Sequence, residues 1–157
     1  MSNTSDKLLV QELSLKEAPY RLLLMADPSE KMLSTYIDKG ILHGAFINQE
    51  LIGEYVLLKK DHLTAEIKNI AVESNWQGKG IGKFLLQHAA NEAQQLGCKT
   101  LQIGTGNSSI NQLLLYQRSG FEITSIVKNF FKDHYDTPIY ENGIECKHLI
   151  VLEKAIL

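Results

Sequence analysis

The spacing of apolar and polar residues divides the chain into short strands and helices. Leu8 to Leu13 reads as a first strand. Ser14 has the character of a helix N-cap, with Glu17 as its capping-box partner, and an apolar helix is predicted as far as Met25. Asp27-Pro28-Ser29 breaks it, and Ser29 can cap a second helix through Tyr36 and Ile37 to Gly40. His43 to Ile47 and Leu51 to Leu58 are strand-like runs joined by a hairpin signal, Asn48-Gln49-Glu50. Thr64 to Val72 is another strand, whose alternation puts Glu66, Lys68, Ile70 and Val72 on one face and Ala65, Ile67, Asn69 and Ala71 on the other.

Gly80 to Leu96 carries the clearest helical pattern. Ile81, Phe84, Leu85, Ala89, Ala93 and Leu96 form its apolar face, and Gly97 follows as a C-cap. Thr100 to Ile103 is predicted as a strand, Ser108 to Ser119 as a helix ended by Gly120, and Phe121 to Val127 as a strand. Cys146 to Leu152 is the last strand, after a turn at Glu141-Asn142-Gly143. Three consecutive strands in the middle exclude regular strand-helix alternation. The order fits a mixed α/β (α+β) domain, in which an antiparallel region joins a parallel strand-helix-strand region.

Composition narrows the class. With 157 residues, 44% hydrophobic and 22% charged, the chain can bury a core without disulfides. It has no repeat and no linker-like stretch, so a single domain over residues 1–157 is expected. A balance of 16 Lys and Arg against 18 Asp and Glu argues against a general binder of nucleic acid or anionic membrane. Cys98 and Cys146 follow no metal spacing and read as free thiols of a reducing compartment. No His/Cys/Asp/Glu grouping suggests a metal. No apolar run approaches the ~20 residues of a membrane span, and Met1 to Asp6 lacks the apolar stretch of a signal peptide. A cytoplasmic location is expected.

The most informative stretch runs from Ile70-Ala71-Val72 through Gln77-Gly78-Lys79-Gly80-Ile81-Gly82-Lys83. A strand enters a glycine-rich turn that opens a long helix. Glycines let backbone N–H groups approach a ligand, and a helix N-terminus offers unsatisfied donors and a positive dipole end. The expectation is a phosphate or pyrophosphate site, with Lys79 and Lys83 adding charge at its rim. A Walker A loop fails here, because Gly82-Lys83 is followed by Phe84 and Gln77 stands where the first glycine belongs. The dinucleotide fingerprint fails too, ending in Lys83 when read from Gly78 and in Leu85 when read from Gly80.

Gln77, Gly80 and Gly82 do fit Gln-x-x-Gly-x-Gly, and with this the sequence resembles the GNAT superfamily of acetyl-CoA-dependent N-acetyltransferases. Ala65-Glu66-Ile67 leading to Ile70-Ala71-Val72 is similar to that family's fourth strand, and Leu115-Tyr116-Gln117-Arg118-Ser119-Gly120-Phe121 to its Leu-Tyr-x-x-x-Gly-Phe signature. Runs such as Gly104-Thr105-Gly106-Asn107-Ser108-Ser109 and Glu141-Asn142-Gly143-Ile144 resemble a small bacterial subgroup, one member of which is called an indoleacetate (IAA) acetyltransferase. Indoleacetate has no amine, so it is not carried over as an acceptor. The resemblance implies the GNAT fold, a splayed mixed sheet of about seven strands with about four flanking helices.

The resemblance also implies roles. Gln77, Gly78, Lys79, Gly80, Ile81, Gly82 and Lys83 would hold the pyrophosphate of acetyl-CoA. Ile70, Ala71 and Val72 would bind pantetheine and the thioester through their backbone. Asn107 and Ser109 would contact pantetheine or cap the last helix. Glu66 is the candidate general base, or it pairs with Lys68 or a neighbouring strand. Tyr116 is the candidate acid for the departing thiolate, since a phenol near pKa ~10 can protonate it. His88 on the long helix reads as a satisfied buried histidine. Phe130, Phe131, His134, Tyr135 and Tyr140 read as either an acceptor pocket or local packing.

The implied reaction is direct acetyl transfer to a primary amine in a ternary complex, and the near-neutral charge points to a small-molecule acceptor. Relatives are often dimers, so a homodimer is allowed. A protein lysine or N-terminal acetyltransferase, a non-catalytic acyl-CoA-binding module and an unrelated nucleotide-phosphate binder stand as alternatives.

Overall fold

The structure is a computed structural model and describes residues 7–157; Met1 to Asp6 lie outside the described residues. The chain packs as two compact units. One holds the residues up to Leu58 and Lys68–Leu85; the other holds Lys59–Ile67 and Leu86–Leu157. Strand β4 (Thr64–Val72) and helix α3 (Ile81–Gln95) contribute residues to both.

In the first unit β1 (Leu9–Leu13) pairs antiparallel with β2 (Ile41–Ile47), which pairs antiparallel with β3 (Glu50–Lys59). The β2–β3 turn is two residues, Asn48 and Gln49, at φ 50° and 68°. Left-handed geometry at both central positions matches the twist of a hairpin. Two short helices follow β1: α1 (Tyr20–Ala26) and α2 (Glu30–Ser34). The long helix expected from Ser14 is not formed. Glu17 does bond back to the Ser14 N–H (3.0 Å) and hydroxyl (2.9 Å), but only one 3-10 turn, Leu15–Glu17, results. Pro19 disfavours a helical Ala18, which sits at ψ 124°, and the chain restarts as α1. Ser29 caps α2 as expected, accepting from Met32 N–H at 3.1 Å. Leu13, Leu23, Leu33, Tyr36, Ile37, Leu42 and Val56 form this unit's buried cluster. Each aliphatic member stabilises the fold by about 1.5–3 kcal/mol.

In the second unit β5 (Thr100–Gly106) pairs parallel with Thr64 to Ile67 of β4 and antiparallel with β9 (Leu149–Ala155). β9 also pairs antiparallel with β6 (Glu122–Val127). Between them lie α4 (Ile110–Arg118), α5 (Phe130–His134) and a separate hairpin, β7 (Ile139–Glu141) with β8 (Ile144–Cys146). The seven-stranded mixed sheet runs β1-β2-β3-β4-β5-β9-β6, and the fold is the mixed α/β arrangement expected.

Three sequence expectations are corrected here. The strand predicted over Thr100 to Ile103 runs on to Gly106. The strand predicted from Cys146 to Leu152 is two strands, because the Lys147 and His148 N–H groups turn away to the Asn107 Oδ1 at 2.8 and 2.9 Å. On α3, Phe84 is 47% exposed, whereas Leu86 and Ala90 are buried beside Ile81, Leu85, Ala89 and Ala93. The buried face is therefore broader than, and rotated from, the predicted stripe.

Glu54, in the middle of β3, is fully buried, and neither carboxyl oxygen has a hydrogen-bond partner among the described residues. Burial holds its carboxyl well above the usual carboxylate range. The unfolded chain therefore binds fewer protons than the folded one once pH passes the ordinary carboxyl value near ~4.3, and stability falls as pH rises from there. Glu54→Gln removes that linkage. Its unfolding free energy relative to the parent should rise with pH between 5 and 8, by up to about 1.4 kcal/mol per pH unit. An offset that does not change with pH would contradict this account of Glu54.

Candidate active site

The glycine turn lies wholly in the first unit, directly after β4. A single 3-10 turn, Ser74–Trp76, leaves the strand. The Gln77 side chain then reaches back, donating from Nε2 to the Val72 carbonyl at 2.9 Å. Gln77 thus clamps the turn to the strand it leaves. Gly78 and Gly80 follow at φ +73° and +84°, a region that costs an L-residue roughly 1–2 kcal/mol. An added Cβ at either position would meet nothing within 4 Å, so these glycines are required by backbone conformation and not by packing. The Gly80 carbonyl accepts from Phe84 N–H (3.1 Å), which makes Gly80 the first cap of α3. The N–H groups from Gly80 through Ile81 and Gly82 to Lys83 have no intrahelical acceptor, and the first turn holds no acidic residue. Lys83 is exposed, and Lys79 lays its ammonium 4.8 Å from the Trp76 ring centroid. The turn offers open space, outward donors and positive charge, which is what a pyrophosphate needs. Ile70, Ala71 and Val72 run into it in the same unit.

The second unit holds Glu66, Tyr116, Asn107 and Ser109. Glu66 is half-buried on β4 opposite Gln102, with the Lys60 Nζ 3.7 Å from its Oε1. Lys60 also donates to Gln102 Oε1 at 2.6 Å. One ion-pair partner of Glu66 is thus Lys60, in the β3–β4 turn. Tyr116 is buried on α4, its ring tilted against Phe121 at 6.2 Å between centroids. Phe121 N–H bonds back to the Tyr116 carbonyl (3.0 Å), so Gly120 at φ +96° closes the helix and fixes the ring pair. That geometry ties Tyr116, Gly120 and Phe121 into one local unit.

Asn107 is largely committed to the backbone. Its Oδ1 accepts from Lys147 and His148, and its Nδ2 donates to the Glu145 carbonyl at 3.1 Å. Ser109 occupies the N-cap position of α4, but its hydroxyl does not cap; it donates to Glu141 Oε1 at 2.9 Å. Capping is therefore the work of neither residue. Phe130, Phe131, His134 and Tyr135 pack on one another around α5, with ring centroids 4.6–6.4 Å apart, and Tyr140 stands exposed on β7. Cys98 and Cys146 are free and buried. Among the described residues no three His, Cys, Asp or Glu side chains are grouped to hold a metal, and no helix is long and apolar enough to cross a membrane.

Sequence reasoning missed a buried polar cluster in the first unit. Asn69, 4% exposed, donates from Nδ2 to the Leu23 carbonyl (2.9 Å) and to the Tyr36 hydroxyl (3.1 Å). Tyr36 in turn donates to Asp27 Oδ2 at 2.9 Å. Burial, and beyond it the nearby Asp27 and Glu54 charges, push the Tyr36 phenol well above its ordinary value. The one available signal was a glutamate inside the otherwise apolar run Leu51 to Leu58.

The profile of the acetyltransferase (GNAT) family matches residues 11–121. The chain is 50% identical to the uncharacterized N-acetyltransferase YvbK of Bacillus subtilis, over 85% of this chain and 86% of that protein. A GNAT family acetyltransferase from Elizabethkingia anophelis, crystallised with acetyl-CoA bound, superposes with a TM-score of 0.93 at 48% identity, covering 96% of this chain and 99% of that one. An IAA acetyltransferase from Bacillus cereus superposes with a TM-score of 0.91 at 45% identity, covering 95% and 99%.

The open space around Gly80 sets an expectation for stability. Gly80→Ala should cost about 1–2 kcal/mol in urea denaturation, the penalty of the left-handed backbone alone. A loss above about 4 kcal/mol would mean that the turn is packed.

Proposed function

Because the chain belongs to the GNAT family of acetyltransferases, we propose that residues 1–157 form one N-acetyltransferase domain that acetylates a primary amine of a small, cytoplasmic molecule, with acetyl-CoA as the donor. The observation that carries the reading is the turn from Gln77 to Lys83, with two left-handed glycines and unsatisfied N–H groups at the start of a fifteen-residue helix. The donor fits it. A Cβ at Gly78 or Gly80 would meet nothing within 4 Å, which supports close approach of pyrophosphate oxygens to that backbone, and Lys79 and Lys83 supply the counter-charge.

Acetyl-CoA supplies an activated acetyl thioester. The chain's residues do the rest. The backbone of Ile70, Ala71 and Val72 orients the thioester and offers hydrogen bonds to the charge that develops on its carbonyl oxygen. Glu66 accepts the proton lost by the attacking amine, directly or through water, with the Lys60 Nζ 3.7 Å from its Oε1. Tyr116 donates a proton to the departing thiolate. Ser109 and the remaining Asn107 amide hydrogen are candidate pantetheine contacts. Transfer is direct, without an acyl-enzyme, and no metal takes part.

Thiol release from acetyl-CoA across a panel of primary amines tests the reading. Tyr116→Phe should lower kcat by about 10²-fold while acetyl-CoA Kd stays within about threefold. Glu66→Gln should lower kcat/KM most at low pH, where the acceptor is protonated. Full turnover by the Tyr116 variant would overturn its role. Acetyl-CoA binding with no turnover on any amine would favour a non-catalytic module.

A further inference from the structure

An ion pair stands at the mouth of the glycine turn. Glu73 directly follows β4, and its carboxylate pairs with the Arg21 guanidinium of α1. The Glu73 side chain is largely buried, at 18% exposure, whereas that of Arg21 is 72% exposed. A pair whose cation stands in solvent adds little to the stability of a fold. α1 is also anchored to β4 by other means. The Asn69 Nδ2 donates to the Leu23 carbonyl at 2.9 Å in a buried bond, and the Leu22 and Leu23 side chains are themselves buried.

The position of the charge is more informative. Residues 67–91 carry most of β4, the turn and most of α3, and Glu73 is the single acidic residue among them. Its backbone is fixed there: the Glu73 N–H donates to the Ile52 carbonyl at 2.8 Å, and the Glu73 carbonyl accepts from Trp76 N–H at 2.9 Å. Such a turn holds its first and fourth Cα atoms within about 7 Å, so the Cα of Gln77, where the donor turn opens, lies within about 11 Å of that of Glu73. That span is comparable to the Debye length of about 8–10 Å, and a largely buried charge is screened less than an exposed one. Lys79 and Lys83 bring two positive charges to the turn, and an unpaired Glu73 would cancel one of them. Arg21 restores the balance. It lies outside every motif of the turn and reaches it only through the seating of α1.

We propose that Arg21 serves the donor site by neutralising Glu73, so that the turn presents its full positive charge to the pyrophosphate of acetyl-CoA, and that it does so without touching the donor. The inference rests on the acetyltransferase reading and adds a residue to that site. The role requires charge and not the planar fork of a guanidinium, so lysine at position 21 can perform it. Glu73 is the target of the effect. With glutamine at position 73, Arg21 has nothing to neutralise and becomes dispensable.

The test is a double-mutant cycle on the whole protein, read as acetyl-CoA affinity by isothermal titration. Arg21→Gln should weaken binding about tenfold, while its urea midpoint stays close to that of the parent. Glu73→Gln should bind as tightly as the parent or more tightly. The double variant should return to within about threefold of the parent, and Arg21→Lys should do the same. The Arg21→Gln loss should shrink at about 500 mM KCl, where charges this far apart are screened. A loss below about threefold in Arg21→Gln would overturn the proposal. So would a double variant as weak as Arg21→Gln, because Arg21 would then act on the donor directly. A loss undiminished by salt would also contradict it. If Arg21→Gln fails to fold, the other two single variants decide: tenfold weaker binding in Glu73→Gln or in Arg21→Lys overturns the proposal. A parent that binds acetyl-CoA beside an unaffected Arg21→Gln sinks this inference alone. A parent that does not bind acetyl-CoA counts against the acetyltransferase reading.

Discussion

The passage from β4 into α3 must be made in a few residues, with the backbone left-handed at Gly78 and Gly80. Everything assigned to the donor site depends on that constraint. It aims the N–H groups of Gly80 to Lys83 outward at the end of a long helix, where an anion is stabilised by dipole and hydrogen bonds together. Gln77 holds the turn to the Val72 carbonyl, so strand, turn and helix share one fixed geometry. The glycines cost conformational entropy on folding, and no packing contact at either position offsets it. Binding of the donor's pyrophosphate, as proposed above, would offset that cost.

A second constraint operates in the other unit. Asn107 withdraws the Lys147 and His148 N–H groups from strand pairing and so sets where β9 begins. Gly106 is needed beside it, because a Cβ there would stand 2.3 Å from the Cys146 sulfur. The Gly104 to Ser109 run is thereby read as structural as well as functional. Its residues bring β5 close to the β8–β9 corner, and the polar ones satisfy backbone groups that the corner exposes.

Much of this was legible in the sequence. β4 appeared at its observed bounds because period-two alternation is unambiguous when one face is buried. The helix after the glycine turn was equally clear. What failed was local. Pro19 cut the first helix through its effect on Ala18, a restriction that an apolar pattern does not carry. The split of the last strand depends on a side chain some forty residues away in sequence, which no local window contains. At the candidate site the glycine turn, Glu66 and Tyr116 were found through motifs. The Glu54–Asn69–Tyr36–Asp27 cluster was not, because its members come from four separate elements and only folding brings them together.

The central claim is that the Gln77–Lys83 turn is a coenzyme A site. Isothermal titration of the purified protein with acetyl-CoA, against CoA, ATP and NAD, tests it most directly. The account expects micromolar binding of acetyl-CoA and CoA, with ATP and NAD at least about tenfold weaker. No binding of acetyl-CoA, or a preference for ATP or NAD, would contradict it.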